Sequence, residues 1–68
     1  MTTYALTAVI HKEGNLYVTE SLEVGTVSQG TTIEQAVANL KEATELYLEE
    51  LPLVGSAPPI VTTFEITQ

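Results

Sequence analysis

The chain predicts an α+β fold of order β-β-β-α-β, an antiparallel sheet of three to four strands with one helix packed on one face. Three observations predict it. Short stretches rich in β-branched and aromatic residues alternate in character with period two. Glycines and a Lys-Glu-Gly-Asn cluster separate those stretches. Between Ile33 and Leu51 the period changes to that of a helix, with a capping signal before it and Pro52 after it.

Thr2 to His11 reads as the first strand. Tyr4, Leu6, Ala8 and Ile10 share a strongly apolar side, and Ala5, Thr7 and Val9 share a small, semi-polar one. Lys12-Glu13-Gly14-Asn15 is the turn of a hairpin, with Gly14 able to take positive φ. Leu16 to Glu20 returns as the second strand, with Leu16 and Val18 facing one way and Tyr17 and Thr19 the other. Ser21 to Glu23 connects to a third strand, Val24 to Gln29, in which Gly25 suggests a bulge or a close backbone approach. Gly30 ends that strand.

The helix follows. Thr31 is the expected N-cap, with Glu34 three positions later as a capping box requires, and the Thr31 hydroxyl is expected to contribute about 1 kcal/mol. Ile33, Ala36, Val37, Leu40, Ala43, Tyr47 and Leu51 form one apolar stripe. Ala38, Glu42, Glu45 and Glu49 lie opposite. Pro52 stops the helix near Leu51 because the residue before a proline is pushed out of the α region. Leu53 to Pro59 is expected as a loop and Ile60 to Thr67 as a last strand, with Ile60, Thr62, Phe64 and Ile66 on one face. One helix covers only one face of such a sheet. The other face is expected to carry Thr, Ala and Val, and it or an unpaired edge is the natural surface for association.

At 68 residues this is one domain, residues 1–68. A chain so short buries only about 60% of its unfolded surface. It has no cysteine, so neither a disulfide nor a thiolate–metal site reinforces it. A homo-oligomer or an obligate partner is expected on that ground. Hydrophobic residues make up 44%, enough for a globular core. Nine acidic residues, all glutamate, face two lysines, for a formal charge of −7. That field repels nucleic acid and attracts basic partners. No apolar run approaches the roughly 20 residues of a membrane span. The N-terminus has no basic region followed by an apolar one, so a cytoplasmic protein is the simplest expectation.

Residues that carry chemistry are few. His11 is the one histidine, at a strand end beside Lys12, and is expected to be structural or solvated. Glu20 and Glu23 are the one carboxylate pair to weigh as metal ligands. Metal-dependent nucleases need several carboxylates converging on two ions, and the chain has no Asp, so solvated surface charge is the reading. Ser28 has no neighbouring base, and Gly25, Gly30 and Gly55 are too scattered for a phosphate cradle. No enzyme and no cofactor are expected. Glu42, Glu45 and Glu49 share a helical face at three- and four-residue spacing; like charges there slightly destabilise a helix, and the face is either solvated or a docking surface for a basic protein. Leu46 projects away from Leu40 into the same region. Glu42, Glu45, Leu46 and Glu49 are therefore the candidate partner-binding residues.

The residues also carry a resemblance. Glu13-Gly14 with Tyr17-Val18, then Leu22-Glu23-Val24-Gly25-Thr26, then Ser28-Gln29-Gly30-Thr31-Thr32 with Glu34-Gln35-Ala36, form a set. Asn39-Leu40, Glu42-Ala43 and Leu46-Tyr47-Leu48-Glu49-Glu50 complete it. The chain resembles the HicB-like antitoxins of type II toxin–antitoxin systems over nearly its whole length. The resemblance implies a partial RNase H-like fold without nuclease activity. It also implies a partner, a small basic toxin that cleaves messenger RNA and is neutralised by being covered. Many such antitoxins add a helix-turn-helix or ribbon-helix-helix domain that binds their operator. This chain looks like a short form without it, so operator binding is not expected. The competing expectation is a stand-alone homo-oligomeric interaction protein with no toxin partner.

Overall fold

A computed structural model of the chain describes residues 5–51 and 59–68. It shows three strands, β1 (Ala8–Glu13), β2 (Leu16–Ser21) and β3 (Val27–Gly30), followed by one helix, α1 (Ile33–Glu50). The sheet is antiparallel in the order β1-β2-β3. The α+β order β-β-β-α is thus as the sequence predicts. Thr2 to Tyr4 of the expected first strand, and all of the expected loop Leu53 to Pro59 but Pro59, lie outside the described residues.

The hairpin is tighter than the sequence suggests. Glu13 pairs with Leu16, so Lys12 and Glu13 belong to β1 and only Gly14 and Asn15 turn the chain. Gly14 has φ 59° and no non-glycine residue described has positive φ, the pattern of a type II′ turn with glycine first. Lys12 and Tyr17 stand opposite each other, with the ammonium 5.8 Å from the ring centroid.

The third strand starts later than expected. Gly25 lies in the connection, where its N–H donates to the Ser21 carbonyl (2.8 Å) and its φ is 86°. A Cβ there would meet nothing within 4 Å, so Gly25 serves the turn and makes no close approach. Gly30 does the reverse. It is the last residue of β3, opposite Tyr17, and a Cβ on it would lie 2.6 Å from the Ala36 nitrogen. It gives the helix room to lie against the strand.

The helix cap is displaced by one residue from the expected Thr31–Glu34 box. Thr32 is the N-cap, and its hydroxyl accepts from the Gln35 N–H at 3.0 Å. The Gln35 side-chain oxygen reaches back to accept from the Thr31 N–H (2.7 Å) and hydroxyl (2.8 Å). Gln35 thus plays the reciprocal part of a capping box, reaching one residue beyond the N-cap to the Thr31 N–H. The contribution of about 1 kcal/mol therefore belongs to Thr32. At the other end Leu51 donates to the Tyr47 carbonyl at 2.9 Å, so the helix ends where the sequence predicts.

Main-chain bonds from Leu22 to Thr7 (3.1 Å) and from Ser21 to Thr26 (2.9 Å) set the alternation of each ladder. They leave the outward main-chain groups of Ala8, Ile10 and Lys12 on one edge of the sheet and those of Val27 and Gln29 on the other. The helix packs over β3 and β2. Thr19 is fully buried beneath it, its hydroxyl within 3.3 Å of the Ala36 carbonyl and 3.4 Å of the Ser28 carbonyl. By register Ala8, Ile10, Lys12, Tyr17, Ser21, Ser28 and Gly30 share the helix side with Thr19.

This corrects two expectations about burial. Among the described residues only Ala36 and Leu40 are buried apolar side chains, and Thr19, Ser21 and Thr44 fill the rest of the interior. The flanks of the helical stripe are not sealed: Ile33, Val37, Tyr47 and Leu51 are exposed, Tyr47 by 41%. The uncovered sheet face also differs from the expected Thr, Ala and Val. It carries Val9, Leu16, Val18 and Val27, bordered by His11, Glu13, Glu20 and Gln29. Thr19 lies under the helix because its hydroxyl finds carbonyl acceptors there, which removes most of the desolvation penalty.

The expected last strand does not form. Residues 59–68 carry no strand assignment, and Ile60 (96% exposed), Phe64 (82%) and Ile66 (72%) stand in solvent. Alternation equips the segment for a sheet, but strand formation also needs an edge to pair with, and no edge of this chain receives it.

Candidate functional site

The outer face of α1 gathers the four predicted contact residues. Glu42, Glu45, Leu46 and Glu49 all lie within the helix and all are exposed. Each has another of the four three or four positions away, so they form one patch about two turns long. Leu46 is 59% exposed and sits among the carboxylates. A large aliphatic side chain ringed by charge fits the anatomy of a small docking surface, with an apolar centre and a polar rim. Lys41 comes within 3.9 Å of Glu45 one turn on. Both are well exposed, so this pair is worth only about 0.3–0.5 kcal/mol. It leaves Glu42 and Glu49 as the carboxylates of the patch without a neighbouring lysine among the described residues.

The other residues singled out from sequence are placed apart. His11 is exposed on the uncovered sheet face, with Nε2 3.5 Å from a Glu13 carboxylate oxygen. Glu20 lies on that same face, opposite Val27. Glu23 is not the solvated charge the sequence suggests. One carboxylate oxygen accepts from the Thr7 N–H at 2.7 Å, and the other is buried without a hydrogen-bond partner. The two glutamates therefore do not converge. Among the described residues no group of three or more His, Cys, Asp or Glu side chains is placed to hold a metal.

The Glu23 bond ties the approach to β1 to the β2–β3 connection. It also holds the Glu23 carboxyl below its ordinary value of 4.5, chiefly through the Thr7 N–H, with desolvation opposing. A depressed carboxyl pKa contributes stability that is present above about 4.5 and lost as pH falls through the folded-state value. Glu23→Gln is therefore expected to melt below the parent at pH 7, with the gap closing by pH 3. Thermal melts followed by circular dichroism at the two pH values check it; equal melting points at pH 7 refute it.

Sequence reasoning missed the Glu23 latch because Thr7 is distant along the chain. It missed the Thr26–Thr44 contact, with hydroxyl oxygens 2.7 Å apart, for the same reason. It also missed Asn39, whose side-chain amide donates to the Gln29 carbonyl at 2.8 Å and so occupies an outward group of β3. No sequence signal marks any of the three.

Among the described residues no helix is long and apolar enough to cross a membrane. The chain matches no family model, no curated protein and no solved structure.

Proposed function

We propose that the chain is a non-enzymatic protein-binding module of the cytoplasm that neutralises a small, basic, mRNA-cleaving toxin. It works without a cofactor and without touching nucleic acid directly. The observation that carries the reading is the exposed patch of Glu42, Glu45, Leu46 and Glu49 on one helical face. The HicB-like motif set and the charge of −7 support it. Opposite fields speed encounter with a basic partner and fix its orientation, while Leu46 supplies apolar contact at the centre.

The test takes any small basic protein encoded beside this one and measures its binding. Binding at low salt is expected, with an association rate that falls as salt is raised. Reversing Glu42, Glu45 and Glu49 to Lys is expected to lower the low-salt rate by at least about tenfold and to flatten its salt dependence. A salt dependence unchanged by the reversal excludes this face. Absence of binding by any adjacent basic protein removes the toxin.

A second reading is a stand-alone homo-oligomeric interaction protein. It is supported by the exposed Val9, Val27, Val37, Tyr47 and Phe64, a large apolar display for a chain with two buried apolar side chains among its described residues. A stable monomer at micromolar concentration in light scattering refutes it.

A further inference from the structure

We infer that Ile60–Thr67 is a strand completed only on assembly, and that two copies exchange it, each laying the segment on the outer edge of β1 in the other. The inference rests on self-association, with or without a toxin.

The segment is built for a sheet. Every residue from Ile60 to Thr67 except Glu65 is β-branched or aromatic, a composition that disfavours helix and suits a pleated surface. Ile60, Phe64 and Ile66 fall on one side at period two, with Thr62 between them. In the single chain Ile60, Phe64 and Ile66 are exposed. The one hydrogen bond recorded within the segment is local, from the Thr62 hydroxyl to the Thr63 carbonyl.

The two edges of the sheet are not equivalent. On β3, the outward carbonyl of Gln29 is already occupied by Asn39, in the second turn of the helix. On β1, the outward main-chain groups of Ala8, Ile10 and Lys12 have no strand partner across the edge among the described residues. An unpaired row of that kind is a template for another strand. At six residues β1 is long enough to receive most of the segment.

The surroundings of the β1 edge suit the apolar side of the segment. The helix packs over β3 and β2, so the helix-side surface of β1 is left open, with Ala8 exposed and Ile10 half-buried. Asn39 reaches the β3 edge from one flank of the helix. Val37 and Leu48 lie on the opposite flank by helical spacing, toward β1. Val37 is 39% exposed there and Leu48 half-buried. A strand added to β1 would set Ile60, Phe64 and Ile66 beside Ile10 and under that flank. The occupant is a second copy because each chain has both the free segment and the free edge while leaving its own segment off its own sheet. Such an exchange closes with two-fold symmetry.

Light scattering and amide hydrogen exchange on the full chain test this. A dimer at micromolar concentration is expected, with the Ala8, Ile10 and Lys12 amides protected. The double variant Thr62→Pro/Thr63→Pro removes a ladder donor whichever alternate amides face the edge. It is expected to be a monomer with unchanged helix content and at least tenfold faster exchange at those three amides. A dimer that survives the double variant, or whose Ile10 and Lys12 amides exchange freely, overturns the strand exchange and leaves self-association standing. A monomer whose Ile60–Thr67 amides are protected shows closure within one chain and overturns it. A monomer without protection overturns it together with the homo-oligomer reading.

Discussion

Leu40→Ala is expected to remove a large share of the chain's stability, about 2–5 kcal/mol at 25 °C. Leu40 is 5% exposed and, with Ala36, makes up the whole buried apolar set among the described residues. Truncating a buried leucine removes its transfer free energy and opens a cavity, about 2–5 kcal/mol together. A chain of 68 residues has a total stability of roughly 3–10 kcal/mol. The neighbours of Leu40 offer little relief, because Thr19 and Thr44 are held by hydroxyl bonds to Ala36 and Thr26 and cannot move into the gap without losing them. Urea unfolding followed by the helix signal measures the effect. A loss under about 1 kcal/mol would mean that the helix is held by something other than this contact.

Gly30→Ala is expected to be the most damaging glycine substitution among the described residues, at about 1–3 kcal/mol or more. The added methyl would lie 2.6 Å from the Ala36 nitrogen and 2.9 Å from the Gln35 carbonyl carbon. Both are backbone atoms in the first turn of the helix, so no rotamer change relieves the clash. The helix would have to lift away from β3, disturbing the Thr32 cap and the Asn39 bond to Gln29. Gly25→Ala makes the instructive comparison. There the methyl meets open space, and the strain comes only from a φ of 86°, about 1–2 kcal/mol for an L residue. Denaturant midpoints with unchanged slopes check both. Gly30→Ala is expected also to shorten helix protection from its N-terminal end in hydrogen exchange, whereas Gly25→Ala leaves it intact. Equal protection in the two variants would refute the close approach at Gly30.

Those two glycines show how far the chain could be read in one dimension. Both are visible as interruptions of a strand pattern. Sequence alone suggests a bulge or a close approach at Gly25 and the strand end at Gly30; the structure keeps the strand end at Gly30 but puts the close approach there too, leaving Gly25 in the connecting turn. The reason is that positive φ is a local property while proximity depends on which element arrives from elsewhere. The same division runs through the helix. Its existence, its end at Leu51 and the exposed set Glu42, Glu45, Leu46 and Glu49 follow from periodicity, because residues at three- and four-residue spacing are neighbours in any helix. The exact cap residue and the unsealed flanks at Val37 and Tyr47 do not, because they depend on how closely α1 lies on a sheet whose third strand is only Val27–Gly30.

By itself the sequence determined the strand–strand–strand–helix order, the positive φ at Gly14 and the charge pattern of the outer helix face, all of which are set by neighbours along the chain. Only the tertiary structure decided that Thr19 rather than Val18 lies inside, that Glu23 turns inward to Thr7, and that Ile60–Thr67 finds no place on its own sheet. Period two defines the two faces of a strand but not which is covered, and alternation makes a segment able to pair without supplying an edge. Those choices are made by contacts between residues far apart in sequence, where the packing of one helix on β2 and β3 settles what is buried and what stays open.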